Sequence, residues 1–302
     1  MVSEPRYPYV HVDVTPEMVD ETSGLLFELG AEGVEERDEA TLAKTASSGK
    51  VTLVAAFATR QEAEEAMAEL GPELAPRYEE IVGDAWRDAW KEHYRPFSIA
   101  RTSDGRAVVV RPPWEAREAR AGEHVLELEP GRAFGTGLHE TTRLVAQALA
   151  EHAGELPGIT LLDVGCGSGV LALVALALGA ARAVAVDIDL ESIEVTRENA
   201  ARNGMSDRVE ASTTALEEVR APGDSAGGPL VAPVVVANIE ARVLVPMAPE
   251  LDRHVAPGGL LLLSGVLVPQ RDEVRAAYPT YELLASPEMG EWTLLALRKP
   301  RA

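Results

Sequence analysis

A glycine-rich turn between a short apolar strand and an apolar helix constrains the fold more than any other feature of the chain. The segment is Leu161-Leu-Asp-Val-Gly-Cys-Gly-Ser-Gly-Val-Leu-Ala172. It begins with an apolar run of strand length, and residues 170–178 form an apolar stretch of helical length. Gly165, Gly167 and Gly169 remove side chains where the backbone turns, and the helix start offers unpaired N–H groups. The segment therefore predicts an α/β sheet with a nucleotide-type cofactor at the turn.

The spacing of the glycines separates two classes of cofactor. A dinucleotide-binding turn has the pattern G-x-G-x-x-G, and its third glycine would fall at Val170. The pattern present is D-x-G-x-G-x-G, beginning at Asp163, an arrangement common to enzymes that use S-adenosylmethionine (SAM). A nicotinamide oxidoreductase on the same kind of sheet is therefore the disfavoured alternative.

A second acidic residue lies where such a cofactor would need it. Residues 183–186 form another short apolar run, which ends at Asp187, 22 residues after Gly165. A doubly wound sheet places the acceptor for a ribose hydroxyl at this position, so Asp187 is the predicted ribose ligand. Asp187 could instead cap the helix predicted over residues 190–202, a role that Asp189 could also fill.

Length and composition limit the class of protein. At 302 residues the chain exceeds the usual size of one domain, so two domains are expected. No apolar run reaches membrane-spanning length without glycine or charge, and the first six residues lack the features of a signal peptide. We therefore expect a soluble, cytoplasmic protein that does not bind membranes. The single cysteine, Cys166, excludes an internal disulfide and a cysteine-rich metal cluster, and its expected role is packing rather than nucleophilic attack.

The charge of the chain is strongly negative. With 49 acidic and 28 basic residues its net charge is −21, and residues 1–100 carry 21 acidic against 9 basic side chains. Nucleic-acid binding needs clustered Lys and Arg, so direct contact with nucleic acid is not expected. The acidic excess suits either solubility alone or the attraction of a basic protein partner.

The first third of the chain alternates between strand and helix patterns. Residues 9–14 and 51–57 read as strands, and residues 17–29 and 61–70 have helical apolar spacing. This alternation predicts a small α+β domain over residues 1–75.

A linker and a larger domain are predicted to follow. Residues 81–94 read as a polar helix with Trp86 and Trp90 on one face, which predicts packing between the two domains. This helix lies in the linker predicted over residues 76–100. Residues 101–302 then form the doubly wound α/β domain.

A second glycine loop precedes the main glycine turn. Residues 134–142 read F-G-T-G-L-H-E-T-T and lead into an apolar helix. The loop could close over a cofactor, with Thr136 or Thr142 bonding to the cofactor's amino-acid end. Capping of the helix by Thr141 or the preceding Glu is the competing interpretation. We expect His139 to be a packing residue rather than a catalytic base.

An amide ends a further apolar strand. Residues 234–238 finish at Asn238, on the edge of the sheet where ligands gather, so this side chain could hold the cofactor or accept a hydrogen bond from an incoming amine. Capping of the next helix is the alternative. Residues 258–264 predict another buried strand, and residues 281–284 and 292–297 predict a closing antiparallel pair.

Together these segments resemble the bacterial ribosomal protein L11 methyltransferases, which are SAM-dependent protein lysine methyltransferases. The resemblance spans almost the whole chain, and the F-G-T-G-x-H-x-T-T segment makes it specific to this family and its close relatives. The segments that carry it are D-A-W-R-D-A-W-K-E-H-Y-R-P-F at 84–97, E-P-G-R-A-F-G-T-G-L-H-E-T-T at 129–142, D-V-G-C-G-S-G at 163–169, V-D-I-D at 186–189, E-N-A-A-R-N-G at 198–204, N-I at 238–239 and L-S-G-V-L at 263–267.

The resemblance implies a ferredoxin-like front domain that holds the ribosomal protein, and a Rossmann-like doubly wound domain that binds SAM. It carries SAM contacts onto Thr142, Gly165, Asp187 and Asn238. Glu140 and Glu240 stand where the family often has other residues, beside the expected amine entrance. The full set of predicted cofactor residues is Phe134, Thr136, Thr142, Gly165, Gly167, Gly169, Asp187 and Asn238.

The implied reaction is transfer of methyl groups from SAM to lysine ε-amines, and also to the N-terminal α-amine, of ribosomal protein L11. The methyl group of SAM is already activated, so catalysis needs mainly its alignment with an unprotonated amine, which Asn238 is expected to orient. A lysine methyltransferase acting on another protein and a non-catalytic SAM-binding module remain open as alternatives.

Overall fold

The computed structural model describes residues 6–37, 50–82, 95–129, 135, 137–221 and 228–301. The chain divides into two compact units, Met1–Tyr94 and Arg95–Ala302. Within the described residues, no helix combines the length and the apolar character needed to cross a bilayer.

The first unit is a four-stranded sheet with two helices. Its elements are β1 (Arg6–Val14), α1 (Val19–Glu28), β2 (Gly33–Arg37), β3 (Val51–Ala56), α2 (Arg60–Leu70) and β4 (Arg77–Val82). The strands lie in the order β2-β3-β1-β4, and each neighbouring pair is antiparallel. This βαββαβ arrangement is the ferredoxin-like fold that the resemblance implies.

Alternation along β1 explains how this sheet holds its helices. Val10, Val12 and Val14 are buried, whereas the residues between them are half-buried. Since successive side chains of a strand point to opposite faces, these valines share one face. They form a hydrophobic cluster with Leu26 of α1 and Ala63 of α2. The first unit therefore has a core of its own.

The first unit extends further along the chain than the sequence predicts. Residues 76–100 are predicted as a linker, but Arg77–Val82 is strand β4 of the front sheet. Pairing with β1 satisfies the backbone groups of this polar segment, which carries no strong apolar pattern of its own. The end of the predicted linker is also different, because Phe97–Arg101 is a strand, β5, of the second unit. The linker helix is predicted over residues 81–94, but residues 81 and 82 belong to β4. Residues 83–94, with the two tryptophans, lie outside the described residues.

A small three-stranded sheet opens the second unit. It contains β5, β6 (Ala107–Arg111) and β7 (Glu123–Glu127). β6 is antiparallel to β5 and parallel to β7. Val108, Val110 and Leu126 are buried and belong to the main hydrophobic cluster of this unit. The small sheet therefore extends the core of the second unit.

The second unit is built on an eight-stranded sheet. Its strands are β8 (Thr160–Val164), β9 (Arg182–Val186), β10 (Val209–Ser212), β11 (Ala232–Asn238), β12 (Val255–Leu267), β13 (Glu282–Ala285), β14 (Glu288–Met289) and β15 (Trp292–Arg298). They follow the order β10-β9-β8-β11-β12-β15-β13, and β14 pairs with β15. The first five strands in this order are parallel, and β15 is antiparallel to β12 and β13. This is the predicted doubly wound sheet with its closing antiparallel pair.

Helices cover both faces of this sheet. They are α3 (Glu140–Glu151), α4 (Val170–Ala177), α5 (Leu190–Arg202), α6 (Ala241–His254) and α7 (Arg271–Ala276). Leu161 of β8 packs in the cluster that contains Leu173 of α4. The next residue, Leu162, packs in the opposite cluster, with Leu244 of α6. Burial of both faces explains the continuous apolar runs, and the carboxyl ends of β8, β9 and β11 share the edge where ligands bind in such sheets.

Candidate functional site

The backbone after β8 forms a bend that requires glycine. Gly165, Gly167 and Gly169 have φ angles of 71°, 53° and 75°, in the left-handed region that residues with a side chain rarely adopt. A Cβ atom on Gly165 would lie 2.4 Å from Cγ2 of Ile239. A Cβ atom on Gly169 would lie 2.8 Å from Cγ2 of Thr196. Backbone conformation and lack of space together explain the glycine pattern in the sequence.

Helix α5 holds this bend from behind. Thr196 Oγ1 donates to the carbonyl oxygen of Gly167 at 2.9 Å, and Asn199 Nδ2 donates to the carbonyl oxygen of Ser168 at 2.9 Å. Both side chains are buried. Because these bonds fix the bend within the protein, a ligand need not order it on binding, and preorganisation of this kind favours affinity.

Asp187 follows β9 beside the bend. Its Oδ2 accepts from the N–H of Gly167 at 2.9 Å, and its Oδ1 accepts from the N–H of Asp189 at 3.1 Å. The cap of α5 is Asp189, whose Oδ1 accepts from the N–H of Glu191 at 3.1 Å. The helix therefore does not use Asp187 as its cap. Each oxygen of Asp187 retains acceptor capacity for a ligand hydroxyl.

A cavity of about 810 Å³ opens at the carboxyl edge of the sheet, within the second unit. Its size suits a cofactor, since small-molecule sites span roughly 300 to 1,000 Å³. Thr142 and Gly169 are buried and are not among the residues that line the cavity. Of the residues named from the sequence, Gly165, Gly167, Asp187 and Asn238 line the cavity, and so do His139, Thr141 and Glu240.

Asn238 ends β11 at the cavity wall. Its Nδ2 donates to Thr142 Oγ1 at 3.4 Å, and its buried Oδ1 has no hydrogen-bond partner among the described residues. Glu240, not Asn238, occupies the N-cap position of α6, which excludes the capping alternative. A buried acceptor without a partner costs about 1 to 3 kcal/mol. A ligand N–H or O–H in the cavity could remove that cost.

His139 caps helix α3 and packs against β15. Its Nδ1 accepts from the N–H of Thr141 at 3.3 Å. Its ring meets the ring of Trp292 edge-on, with 5.3 Å between the centroids. His139 thus takes the capping position that the sequence left open for Thr141 or Glu140. The ring contact agrees with the packing role predicted for His139, and both rings line the cavity.

Other lining residues carry little signal in the sequence. Trp292, which begins β15, and residues 213–216, which follow β10, line the cavity. Their positions depend on the order of the strands in the sheet, which local sequence patterns do not give. Gly265 lies against the Ile239 backbone, where an added Cβ would be 2.6 Å from the carbonyl oxygen. Ile188, which directly follows Asp187, also lines the cavity and is fully exposed.

The second glycine loop is described only in part. Phe134 and Thr136, both predicted to contact the cofactor, lie outside the described residues. The carbonyl oxygen of Gly135 accepts from Ser168 Oγ at 2.5 Å, which ties the loop to the main bend. Over the parts of the chain that the structure describes, no cluster of three or more His, Cys, Asp or Glu side chains could hold a metal ion.

Cys166 lies in the bend and points into the protein. It packs with Ala185, Ile193 and Ala211, and its Sγ is 3.5 Å from Thr196 Oγ1. Burial raises the pKa of the Cys166 thiol. Because the thiolate is the nucleophilic form, this thiol is unreactive. The contacts agree with the packing role predicted from the sequence.

Asp163, the first residue of the D-x-G-x-G-x-G pattern, is a buried carboxyl group beneath the bend. Its Oδ2 accepts from the N–H of Ala172 at 3.2 Å, and its Oδ1 has no hydrogen-bond partner in the described ranges. Burial raises the pKa of Asp163 to about 7, and the charge of nearby Asp187 contributes to the rise, while the Ala172 bond opposes it. Below about pH 7 the folded protein therefore favours the protonated form.

We expect Asp163→Asn to weaken the pH dependence of folding stability. The carboxyl group titrates near pH 4 in the unfolded chain and near its raised pKa of about 7 in the folded protein. Between these values the folded state binds more protons, so the contribution of Asp163 to stability is lost as pH rises. From about pH 5 to pH 8, the unfolding free energy of the variant should fall by roughly 2 kcal/mol less than that of the wild type. Denaturant unfolding at both pH values measures this, and equal falls would contradict the raised pKa.

Comparisons with known proteins find relatives over nearly the whole chain. A family model described as "Ribosomal protein L11 methyltransferase (PrmA)" matches residues 6–300. The chain is 59% identical over 279 residues to a ribosomal protein L11 methyltransferase of Sorangium cellulosum, across 91% of this chain and 84% of that protein. It is 37% identical over 303 residues to the protein of the same name from Pseudomonas aeruginosa, across 96% and 97% of the two chains. The crystal structure of a ribosomal protein L11 methylase from Lactobacillus delbrueckii subsp. bulgaricus matches with a TM-score of 0.57 and 31% identity, across 68% of this chain and 100% of that one.

Proposed function

This chain belongs to the ribosomal protein L11 methyltransferase family, and from that premise we propose that it transfers methyl groups from SAM to lysine ε-amines of ribosomal protein L11. We extend the proposal to the N-terminal α-amine of the same substrate. An α-amine has a pKa of about 8 against about 10.4 for lysine, so a larger fraction of it is unprotonated, and able to accept a methyl group, near neutral pH.

One observation carries this proposal. A single cavity brings together the glycine bend, the carboxylate of Asp187 and the buried, unpartnered Oδ1 of Asn238. SAM consists of adenosine, a sulfonium and an amino-acid group, so it needs backbone that can approach closely and acceptors for ribose hydroxyls. These residues fit that requirement.

We assign the residues of the cavity to parts of SAM by their chemistry. Asp187 would accept hydrogen bonds from the ribose hydroxyls, because its carboxylate is fixed by two backbone N–H groups and has acceptor capacity left. Gly165 and Gly167 would lie along the amino-acid side, where they leave space for backbone contact. Thr142 would act indirectly, because its Oγ1 accepts from Asn238 and sets the direction of that amide.

The residues of the chain supply alignment rather than a strong nucleophile. When bound, SAM supplies a methyl group already activated by its sulfonium. Asn238 Oδ1 is proposed to accept a hydrogen bond from the acceptor amine and so direct its lone pair into the cavity. The amine must first lose a proton, which can leave to water at the open cavity mouth. Positioning of this kind is a large part of the rate enhancement of two-substrate reactions.

The front unit is proposed to recognise the protein substrate. Residues 1–94 carry 21 acidic and 8 basic side chains, and such an excess attracts a basic partner over a distance of about 10 Å at moderate salt. A separate hydrophobic core supports its role as a distinct recognition unit. We also propose that the protein acts in the cytoplasm, where ribosomal proteins are made.

We expect Asp187→Ala to weaken SAM binding by about 10- to 100-fold, because it removes charge-assisted hydrogen bonds to the ligand. Asp189→Asn is the matched control, because asparagine caps a helix as well as aspartate does and this side chain is assigned no ligand contact. Calorimetric titration of both variants with SAM measures the difference. Equal affinities for the wild type and Asp187→Ala would show that this carboxylate does not hold the ribose.

Mass spectrometry of the reaction products tests the function itself. The pure protein is mixed with isotopically labelled SAM and unmodified ribosomal proteins, and labelled residues are mapped. We expect label on lysines of ribosomal protein L11 and on its N-terminal amine. Label on a different protein would show that the chain methylates that protein instead. SAM binding without any labelled product would indicate a non-catalytic binding module.

A further inference from the structure

Two side chains of opposite charge, Glu240 and Arg242, line the cavity at the start of α6. Among the described residues that line it, the formally charged side chains are Asp187, Glu240 and Arg242. Asp187 is engaged by the backbone beside the glycine bend. Glu240 and Arg242 instead lie at the start of α6, two and four residues after Asn238. The negative charge nearest in sequence to the proposed amine-orienting residue is therefore Glu240.

Glu240 and Arg242 form an ion pair that is open to solvent. Arg242 Nε donates to Glu240 Oε2. The side chains are 64% exposed for Glu240 and 81% exposed for Arg242. The hydrogen bond from Arg242 and its charge hold the pKa of Glu240 below its usual range. Glu240 makes no side-chain bond to the start of α6, although it occupies the cap position, so helix capping does not explain its presence.

We propose that Glu240 is a positioning residue that receives the protonated amine of the protein substrate at the cavity mouth, and that Arg242 is the partner this amine displaces. The inference rests on the proposed function and names the form of acceptor that the site first binds: a cationic ammonium group. The amine moves on to Asn238 after it has lost its proton to water.

The charges of the two substrates explain why an ammonium group would replace Arg242 on Glu240. The sulfonium of SAM and the ammonium of lysine are both positive, so they repel each other as the acceptor enters a cavity walled largely by apolar groups. A carboxylate at the mouth offsets that repulsion. Exposed ion pairs contribute little to stability, so exchanging one cation for another on Glu240 is inexpensive. Arg242 then competes with the substrate, and the two side chains should have opposite effects on acceptor binding.

Steady-state kinetics on the full chain with ribosomal protein L11 tests whether changes at Glu240 and Arg242 shift the acceptor KM in opposite directions. Glu240→Gln should raise the acceptor KM about two- to fivefold, and Arg242→Gln should lower it about twofold, with kcat changed less than KM in both. The Kd for SAM, measured by calorimetry, should stay at the wild-type value. Raising the salt concentration should increase the acceptor KM less in Glu240→Gln than in the wild type.

Glu191→Gln is the matched control, because Glu191 is an exposed carboxylate in the first turn of α5 that does not line the cavity. Its acceptor KM should equal that of the wild type. An unchanged acceptor KM in Glu240→Gln, or a rise of the same size in Glu191→Gln, would overturn the role of Glu240. Failure of the proposed function is a different result, in which the wild type itself binds no SAM or labels no ribosomal protein L11.

Discussion

Replacing Gly165 with alanine is expected to lower SAM affinity at least about tenfold and to destabilise the fold by about 2 to 4 kcal/mol. Alanine at a φ of 71° is strained by about 1 to 2 kcal/mol. The new Cβ would also lie 2.4 Å from Cγ2 of Ile239, which therefore has to move. Because Ile239 directly follows Asn238, its movement disturbs the acceptor end of the cavity as well as the bend. Calorimetry with SAM and denaturant unfolding measure the two effects.

Gly204→Ala separates backbone strain from steric conflict. Gly204 has a similar φ of 66°, but an added Cβ there would have no heavy atom within 4 Å beyond its chain neighbours. This control should lose only the strain term of about 1 to 2 kcal/mol and keep its SAM affinity. Equal stability losses in the two variants, with SAM affinity kept in both, would show that the close approach of Gly165 and Ile239 does not shape the site.

The second large effect is expected for Asn238→Ala, which should reduce kcat by about 100- to 1,000-fold at saturating SAM and acceptor, the range seen when one preorganised hydrogen-bonding group is removed from an active site. The physical reason is that Asn238 lines the cavity and that its buried Oδ1 has no hydrogen-bond partner among the described residues. Single-turnover measurements with labelled SAM report the chemical step directly.

Thr142→Val and Thr142→Ser provide the controls for Asn238. Valine removes the hydroxyl that accepts from Asn238 Nδ2 at 3.4 Å, whereas serine keeps it. If Asn238 orients the amine, the valine variant should lose part of the rate and the serine variant should retain it. Full methyl transfer by Asn238→Ala under saturating conditions would mean that this amide has no part in catalysis.

Local patterns in the sequence predict the glycine bend and the helix α5 that packs against it. The helix predicted over residues 190–202 begins and ends where α5 does. The backbone conformation of the glycine bend is equally local, because three positive φ angles within five residues favour glycine at these positions. Such features depend on the chain within about ten residues, which is the range over which apolar spacing and turn residues carry information.

The features that the sequence does not predict depend on distant parts of the chain. Residues 77–82 are polar and become a strand only because β1 offers an edge for pairing. His139 and Trp292 are more than 150 positions apart and meet because β15 lies next to β12 in the sheet. The sequence also does not decide between Asp187 and Asp189 as the helix cap, because both are aspartates, which suit a cap equally well; in the structure Asp189 is the cap.

Calorimetric titration of the full-length wild-type chain with SAM tests the central claim most directly. In the proposed site, the bend after β8 and the carboxylate after β9 bind SAM together. The expected result is saturable uptake of one SAM per chain, competition by the demethylated product of SAM, and no comparable heat from a nicotinamide dinucleotide. A titration that shows no uptake of SAM, or that shows tighter uptake of the dinucleotide, would contradict it.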